Sequence, residues 1–207
     1  MSREILVVKR DVLFGDKEFQ GFLPFVEGDF ISLILDNFEY RERDDVEKDS
    51  SLQQPIPYVW IVNPFSKKVF AYRRASGKSY NEQRLKDKWS GGVGGHIDRD
   101  TEHASENPVL DAMMRELREE VLMDEYPTPK IVGYLNDDSN DVGKVHFGIV
   151  AIAETTEDVR KGDDEMVHGN FYSVGELEKI FSDSENNVET WTQLSWPFVR
   201  DYVNSLD

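Results

Sequence analysis

"RELREEV", residues 115–121, is the stretch on which the reading of this chain turns. Three of its seven residues are glutamates, Glu116, Glu119 and Glu120, and the acidity resumes at Asp124 and Glu125. Leu110, Met113, Met114, Leu117 and Val121 fall at helical spacing and predict a core-facing stripe. Asn107-Pro108 offers an N-cap followed by a first-turn proline, so the helix is predicted to start there. At about 100° per residue the three glutamates fill an arc beside the stripe, within reach of one point in space. Runs of charge usually form a solvated face. The alternative is a metal site, because carboxylates held this close repel one another unless something positive lies between them. Arg115 can brace Glu119 four residues on, but one arginine cannot neutralise three acids. A hard divalent cation can: magnesium takes oxygen ligands at about 2.1 Å and keeps waters that phosphates displace.

The rest of the composition narrows the setting. At 207 residues the chain is long enough for one domain with an elaboration, and 39% apolar residues with twelve Phe and four Trp supply a core. No apolar run is long enough to cross a membrane. The opening "MSREILVVKRDVLF" is broken by Lys9, Arg10 and Asp11 and does not resemble a secretory signal. The absence of cysteine excludes disulfides, thiolate zinc sites and a cysteine nucleophile. A cytoplasmic enzyme is the expectation. The net charge of −17 disfavours nucleic-acid polymers and anionic membranes as partners. A small phosphorylated ligand remains compatible, because residues 73–88, "RRASGKSYNEQRLKDK", carry six basic and two acidic residues.

Residues 1–50 read as a small, mostly β extension, with "EILVVKR" a strand and "FISLILDNF" a strand or short helix. "RERDDVEKDSS" is the boundary candidate, leaving 51–207 as the main domain. "IPYVWIVN", "KVFAYRR", "KIVGYL" and "KVHFGIVAIAE" read as strands, and "WSGGVGGHID" as a glycine-rich turn. Ser173 and Glu176 form a capping pair for a helix. "ETWTQLSWPFVRDYVNSL" reads as a closing helix with a candidate break at Trp196-Pro197. The four histidines, His96, His103, His146 and His168, are scattered without metal-ligand spacing and read as structural or surface residues.

At "GGHID…RELREEV" the sequence resembles the Nudix hydrolase superfamily. Gly95 matches the motif glycine, and Arg115, Glu116, Leu117, Glu119 and Glu120 match its Arg-Glu core. "QPIPYVWIV", "RLKDKWSGGVGGHID", "NDDSNDVGKVHFGIV" and "ETWTQ" resemble the branch of predicted MutT-type phosphoesterases, over nearly the whole chain. Two departures stand out. Gly95 to Arg115 spans twenty residues, six more than the motif, so that Glu102 or Glu106 takes the place of its first glutamate. Leu122 replaces the helix-ending glycine, which predicts a helix running a turn longer.

The resemblance implies an α+β fold: a mixed β-sheet in a three-layer α/β/α sandwich. It implies Mg²⁺ or Mn²⁺ on Glu116, Glu119, Glu120 and Gly95, with Arg115, Glu119 and Glu120 in the catalytic set and Glu165 as a candidate base. The reaction implied is hydrolysis of a phosphoanhydride in a nucleoside diphosphate linked to another group. Arg73, Arg74, Lys78 and Arg84 are the expected phosphate-binding residues, since arginine's fork matches phosphate oxygens. Isopentenyl diphosphate isomerases share the fold, but their known chemistry needs a cysteine. The rival from another class is a non-catalytic module that binds a nucleotide-type ligand as a sensor. A homodimer through residues 1–50 is a further expectation.

Overall fold

The structure is a computed structural model, and it describes residues 3–75, 86–162 and 166–206. Along the chain come β1 (Glu4–Lys9), α1 (Arg10–Phe14), β2 (Gly21–Pro24), α2 (Phe30–Asn37), β3 (Glu39–Glu42) and α3 (Arg43–Val46). There follow β4 (Leu52–Asn63), β5 (Lys68–Arg74), β6 (Trp89–Ser90), β7 (Gly92–Val93), α4 (Arg99–Glu102), α5 (Pro108–Glu120) and β8 (Val121–Leu122). The chain closes with β9 (Lys130–Asn136), β10 (His146–Glu154), β11 (Arg160–Lys161), β12 (Met166–Ser173), α6 (Val174–Ser182) and α7 (Thr190–Ser205). The class is the expected α+β, with a mixed sheet. Residues 1–50 carry helix as well as strand, and "FISLILDNF" resolves as α2, started by the Asp29 carboxylate accepting from the Ser32 N–H.

The chain folds into two compact units interleaved in sequence. The first comprises Met1–Tyr58, Gly94–Met113 and Ile131–Ala151. Here β1 pairs antiparallel with β3 and with the start of β4, while β2 pairs antiparallel with β9. Ile5, Val7 and Val46 pack together with Leu52, which pins α3 to the strand pair. A second apolar centre is aromatic: the rings of Phe14, Phe19, Phe30, Tyr134 and Phe147 meet stacked, tilted or edge to face, with centroids 4.9–6.2 Å apart. Such pairs add to stability beyond their buried area.

The second unit comprises Val59–Val93, Met114–Lys130 and Ile152–Asp207. Antiparallel pairing sets β5 between β12 and the end of β4, with β6 on β5 and β7 on β4. Both faces of β5 are buried from Val69 to Tyr72, which explains its nearly continuous apolar sequence. The closing helix α7 runs unbroken through Pro197, so the candidate break at Trp196-Pro197 is corrected. Trp196 packs against Trp60 and Phe181, and Ser195 accepts from the Trp60 indole at 3.1 Å; this tertiary packing outweighs the helix-breaking tendency of proline. Before α6, Ser173 and Glu176 form the expected reciprocal capping box.

Candidate active site

Helix α5 begins as its sequence predicts, with the Asn107 side chain accepting from the Leu110 N–H at 3.1 Å. Its buried face holds Val109, Ala112, Met113, Glu116 and Leu117. Leu110 and Met114, expected in the core stripe, are only half-buried, and a glutamate lies in the row instead. Glu116 is 7% exposed. A carboxylate at that depth has to be compensated by charge or hydrogen bonds. Arg115 supplies part of this: one of its guanidinium nitrogens donates to Glu116 Oε1 at 2.7 Å and to Glu119 Oε2 at 2.9 Å. Glu116 is thereby held inside, Glu119 reaches into solvent, and Glu120 is half-buried between them.

The helix ends at Glu120 and does not run the extra turn that Leu122 predicts. Val121 and Leu122 turn into β8 and pair with Lys161 and Arg160 of β11. The Gly162 N–H then donates to the Glu120 carbonyl at 2.8 Å. A helix-terminal carbonyl is satisfied here by a strand pair, in place of a terminal glycine on the helix itself. A glycine is supplied instead just after β11: a Cβ on Gly162 would lie 2.8 Å from the Glu119 carbonyl oxygen and 2.9 Å from the Glu120 carbonyl carbon.

In the same unit, the end of β5 forms a second polar group. Arg74 pairs with Glu189, both largely buried, and Ser90 donates to the other Glu189 oxygen at 2.7 Å. The Arg74 guanidinium lies 5.4 Å over the ring of Tyr72, whose hydroxyl donates to the Gly92 carbonyl at 2.9 Å. Burial pushes the Tyr72 phenol well above its ordinary range; Arg74 opposes the shift, and Glu120 and Glu189 add to it. Glu120 therefore lies within electrostatic reach of this group. Arg73, on the other face of β5, pairs with Asp87 at 2.7 Å and is more open to solvent.

Three comparisons bear on this arrangement. The model of the NUDIX domain matches residues 54–193. Protein YmaB of Bacillus subtilis (strain 168) is 38% identical over 204 residues, covering 93% of this chain and 95% of YmaB. The chain belongs to the Nudix family. Among solved structures, Tm1382, described there as a candidate Nudix hydrolase, superposes with a TM-score of 0.79 at 26% identity, over 96% of this chain and 99% of that one. The NUDIX domain of Shewanella oneidensis NrtR shares the fold, with a TM-score of 0.53 at 11% identity over 74% of this chain and 89% of that one.

The Nudix motif residues divide between the two units. Arg115, Glu116, Glu119 and Glu120 are brought together on α5 in the second. Gly95 lies in the loop after β7 in the first, beside Gly94, where a Cβ would lie 1.8 Å from the Pro57 carbonyl oxygen. Of the two candidates for the motif's first glutamate, Glu102 is buried and accepts from the Asp98 N–H at 2.7 Å. Lys78, Arg84 and Glu165 lie outside the described residues. Sequence reasoning missed Glu189, although "ETWTQ" stood out as a motif; an acid ahead of a helix reads as a surface residue until its partner is known.

The histidines need a correction. His96 and His146 are not scattered: their Nε2 atoms are 3.3 Å apart, and Glu47 Oε1 lies 3.9 Å from the first and 4.0 Å from the second. These three form a group able to hold a metal ion, entirely within the first unit. Sequence spacing could not find it, because the ligands come from a turn, a loop and a strand.

Proposed function

We propose that this chain is a divalent-metal-dependent Nudix hydrolase that cleaves a phosphoanhydride in a nucleoside diphosphate linked to another group. The observation that carries the reading is the intact Arg-Glu core on one helix, with Glu116, Glu119 and Arg115 already in contact. The donor set is all carboxylate oxygen, which fits Mg²⁺ or Mn²⁺ rather than a softer ion. Glu116, Glu119 and Glu120 are assigned as ligands. A bound ion of this kind supplies charge compensation for phosphate oxygens and acidifies a water.

The protein's own groups prepare that chemistry. Arg115 fixes the rotamers of Glu116 and Glu119, so that two carboxylates are already oriented and little side-chain freedom is lost on binding. The depth of Glu116 keeps bulk water from screening its charge. Arg73, Lys78 and Arg84 are assigned to the phosphates and Glu165 to proton abstraction from the attacking water, while Arg74, expected among the phosphate ligands, is instead engaged by Glu189 in a buried pair. Arg73, half exposed beside Asp87, can turn toward a phosphate with least disturbance to the fold. Residues 1–50 are assigned as an extension to a domain of residues 51–207.

The substrate class is tested with a panel assayed for AMP or phosphate release under Mg²⁺ and Mn²⁺. ADP-ribose heads it, since the Shewanella oneidensis NrtR domain was solved in complex with that compound. NADH, dinucleoside polyphosphates, oxidised nucleotides and nucleotide sugars complete it. Release from at least one of these in metal, and none in EDTA, is expected. Tight binding of a compound without release would instead support the sensor reading.

A further inference from the structure

We infer that Glu47, His96 and His146 form a second metal site, selective for a borderline first-row ion of the zinc class and distinct in chemistry from the all-carboxylate set on α5. Their three ligand atoms are separated by 3.3, 3.9 and 4.0 Å. Such a triangle contains a point about 2.2 Å from every corner, close to zinc's bonds of about 2.0–2.1 Å to imidazole and carboxylate. A contraction of a tenth or two of an ångström completes the fit.

The surroundings are those of a built site. His146 Nδ1 lies 2.7 Å from the Val142 carbonyl, which only accepts, so Nδ1 carries the proton and Nε2 presents its lone pair to the group. A ligating histidine held through its other nitrogen by a backbone carbonyl is the usual arrangement around a metal. Gln54 is the partner that an ion at this site would displace. It is fully buried in β4, its Oε1 is aimed at His96 Nε2 at 2.9 Å, and its own amide nitrogen has no hydrogen-bond partner among the described residues. Before an ion binds, this oxygen holds His96 in place through the nitrogen that would ligate. Glu47 is braced in turn by Arg43, one turn before it, at 3.3 Å.

The fold fixes each ligand. Val46, buried among Ile5, Val7 and Leu52, anchors the end of α3 and so places Glu47. The close approach of Gly94 to Pro57 brings the loop bearing His96 across β4 near Gln54. His146 opens β10 immediately after a 3-10 turn at Gly143–Val145. Two imidazoles with one carboxylate suit zinc, cobalt or nickel, whereas magnesium prefers the oxygen-only set. Ligation through His96 Nε2 moves the proton it donates to Gln54 onto Nδ1, the tautomer that leaves Nε2 free to bind.

The test is equilibrium dialysis of the full chain against Co²⁺ in a large excess of Mg²⁺, with cobalt measured per chain and visible d–d absorption recorded. About one cobalt per chain is expected, with a spectrum of mixed nitrogen and oxygen ligation. His96→Gln and His146→Gln should each lose it by at least tenfold in affinity, as should Glu47→Gln, whose smaller change guards against misfolding. The Glu116→Gln/Glu120→Gln double variant should keep it, which separates this site from the proposed hydrolytic one. Circular dichroism of each variant checks that the fold is intact. The inference is overturned if the wild type takes up no cobalt in excess Mg²⁺, if folded histidine variants bind as well as wild type, or if the double variant alone loses it.

Discussion

Arg74 and Glu189 show how one residue pair can be structural and yet stand beside the chemistry. Both are largely buried, and Ser90 satisfies the second carboxylate oxygen. Removing one member leaves the other as an uncompensated buried charge, which typically costs about 3–5 kcal/mol. Arg74→Ala is therefore expected to lower stability by roughly that amount in denaturant titration. Arg73→Ala should leave stability within about 1 kcal/mol, since exposed pairs contribute little, and should raise KM for a diphosphate substrate instead. Equal, small stability losses in the two variants would contradict the assignment. At this scale the sequence was readable only where ligands are neighbours on one helix. Glu116, Glu119 and Glu120 announce themselves by spacing, and so does the bracing by Arg115. Glu189 for Arg74, and Glu47 for His96 and His146, are chosen by tertiary contact over separations that no local pattern encodes.

The elements were legible where local chemistry is decisive: the Asn107 cap of α5, the capping box before α6, and the continuous apolar run of β4. They were misread where a distant partner supplies what local sequence lacks. The end of α5 is an example, since the glycine that closes it, Gly162, comes from the segment just after β11. Helix α7 is another, because the packing of Trp196 holds Pro197 in place. The same helix carries a pH-sensitive tether to β10, in which the Tyr202 hydroxyl donates to Glu154 Oε1 at 2.7 Å. Burial first, then the bond to Glu154 and its negative charge, push the Tyr202 phenol up to about 12. A folded-state pKa above the unfolded value of 10 means that the tether's contribution is complete below pH 10 and is lost as pH rises toward 12. Melting temperature should fall across that alkaline window in wild type and fall less steeply in Tyr202→Phe. Identical slopes would remove the tether from the account.

For the whole molecule, the formal charge of −17 and the three clustered glutamates make cation binding a matter of stability as well as catalysis. An ion that binds only the folded state at a hundred times its dissociation constant contributes about 2.7 kcal/mol, or roughly 5–10 °C in a chain of this size. Millimolar Mg²⁺ should raise the melting temperature more than NaCl of equal ionic strength does. Glu116→Gln/Glu120→Gln should respond to the two salts alike. The family and its fold class were legible because the motif and its flanking strands run through most of the chain. The division into two interleaved units was not, because each is assembled from three separate stretches of sequence. The central claim, that the glutamates of α5 carry metal-dependent hydrolysis, is tested most directly by turnover of the best panel substrate in saturating Mg²⁺ by wild type and Glu120→Gln. Turnover is expected that EDTA abolishes and that the substitution lowers by at least about 100-fold, since losing a ligand should cost more than the roughly 10–100-fold typical of losing an outer-shell partner, with the fold retained. Turnover by a folded Glu120→Gln variant at the wild-type rate would contradict it.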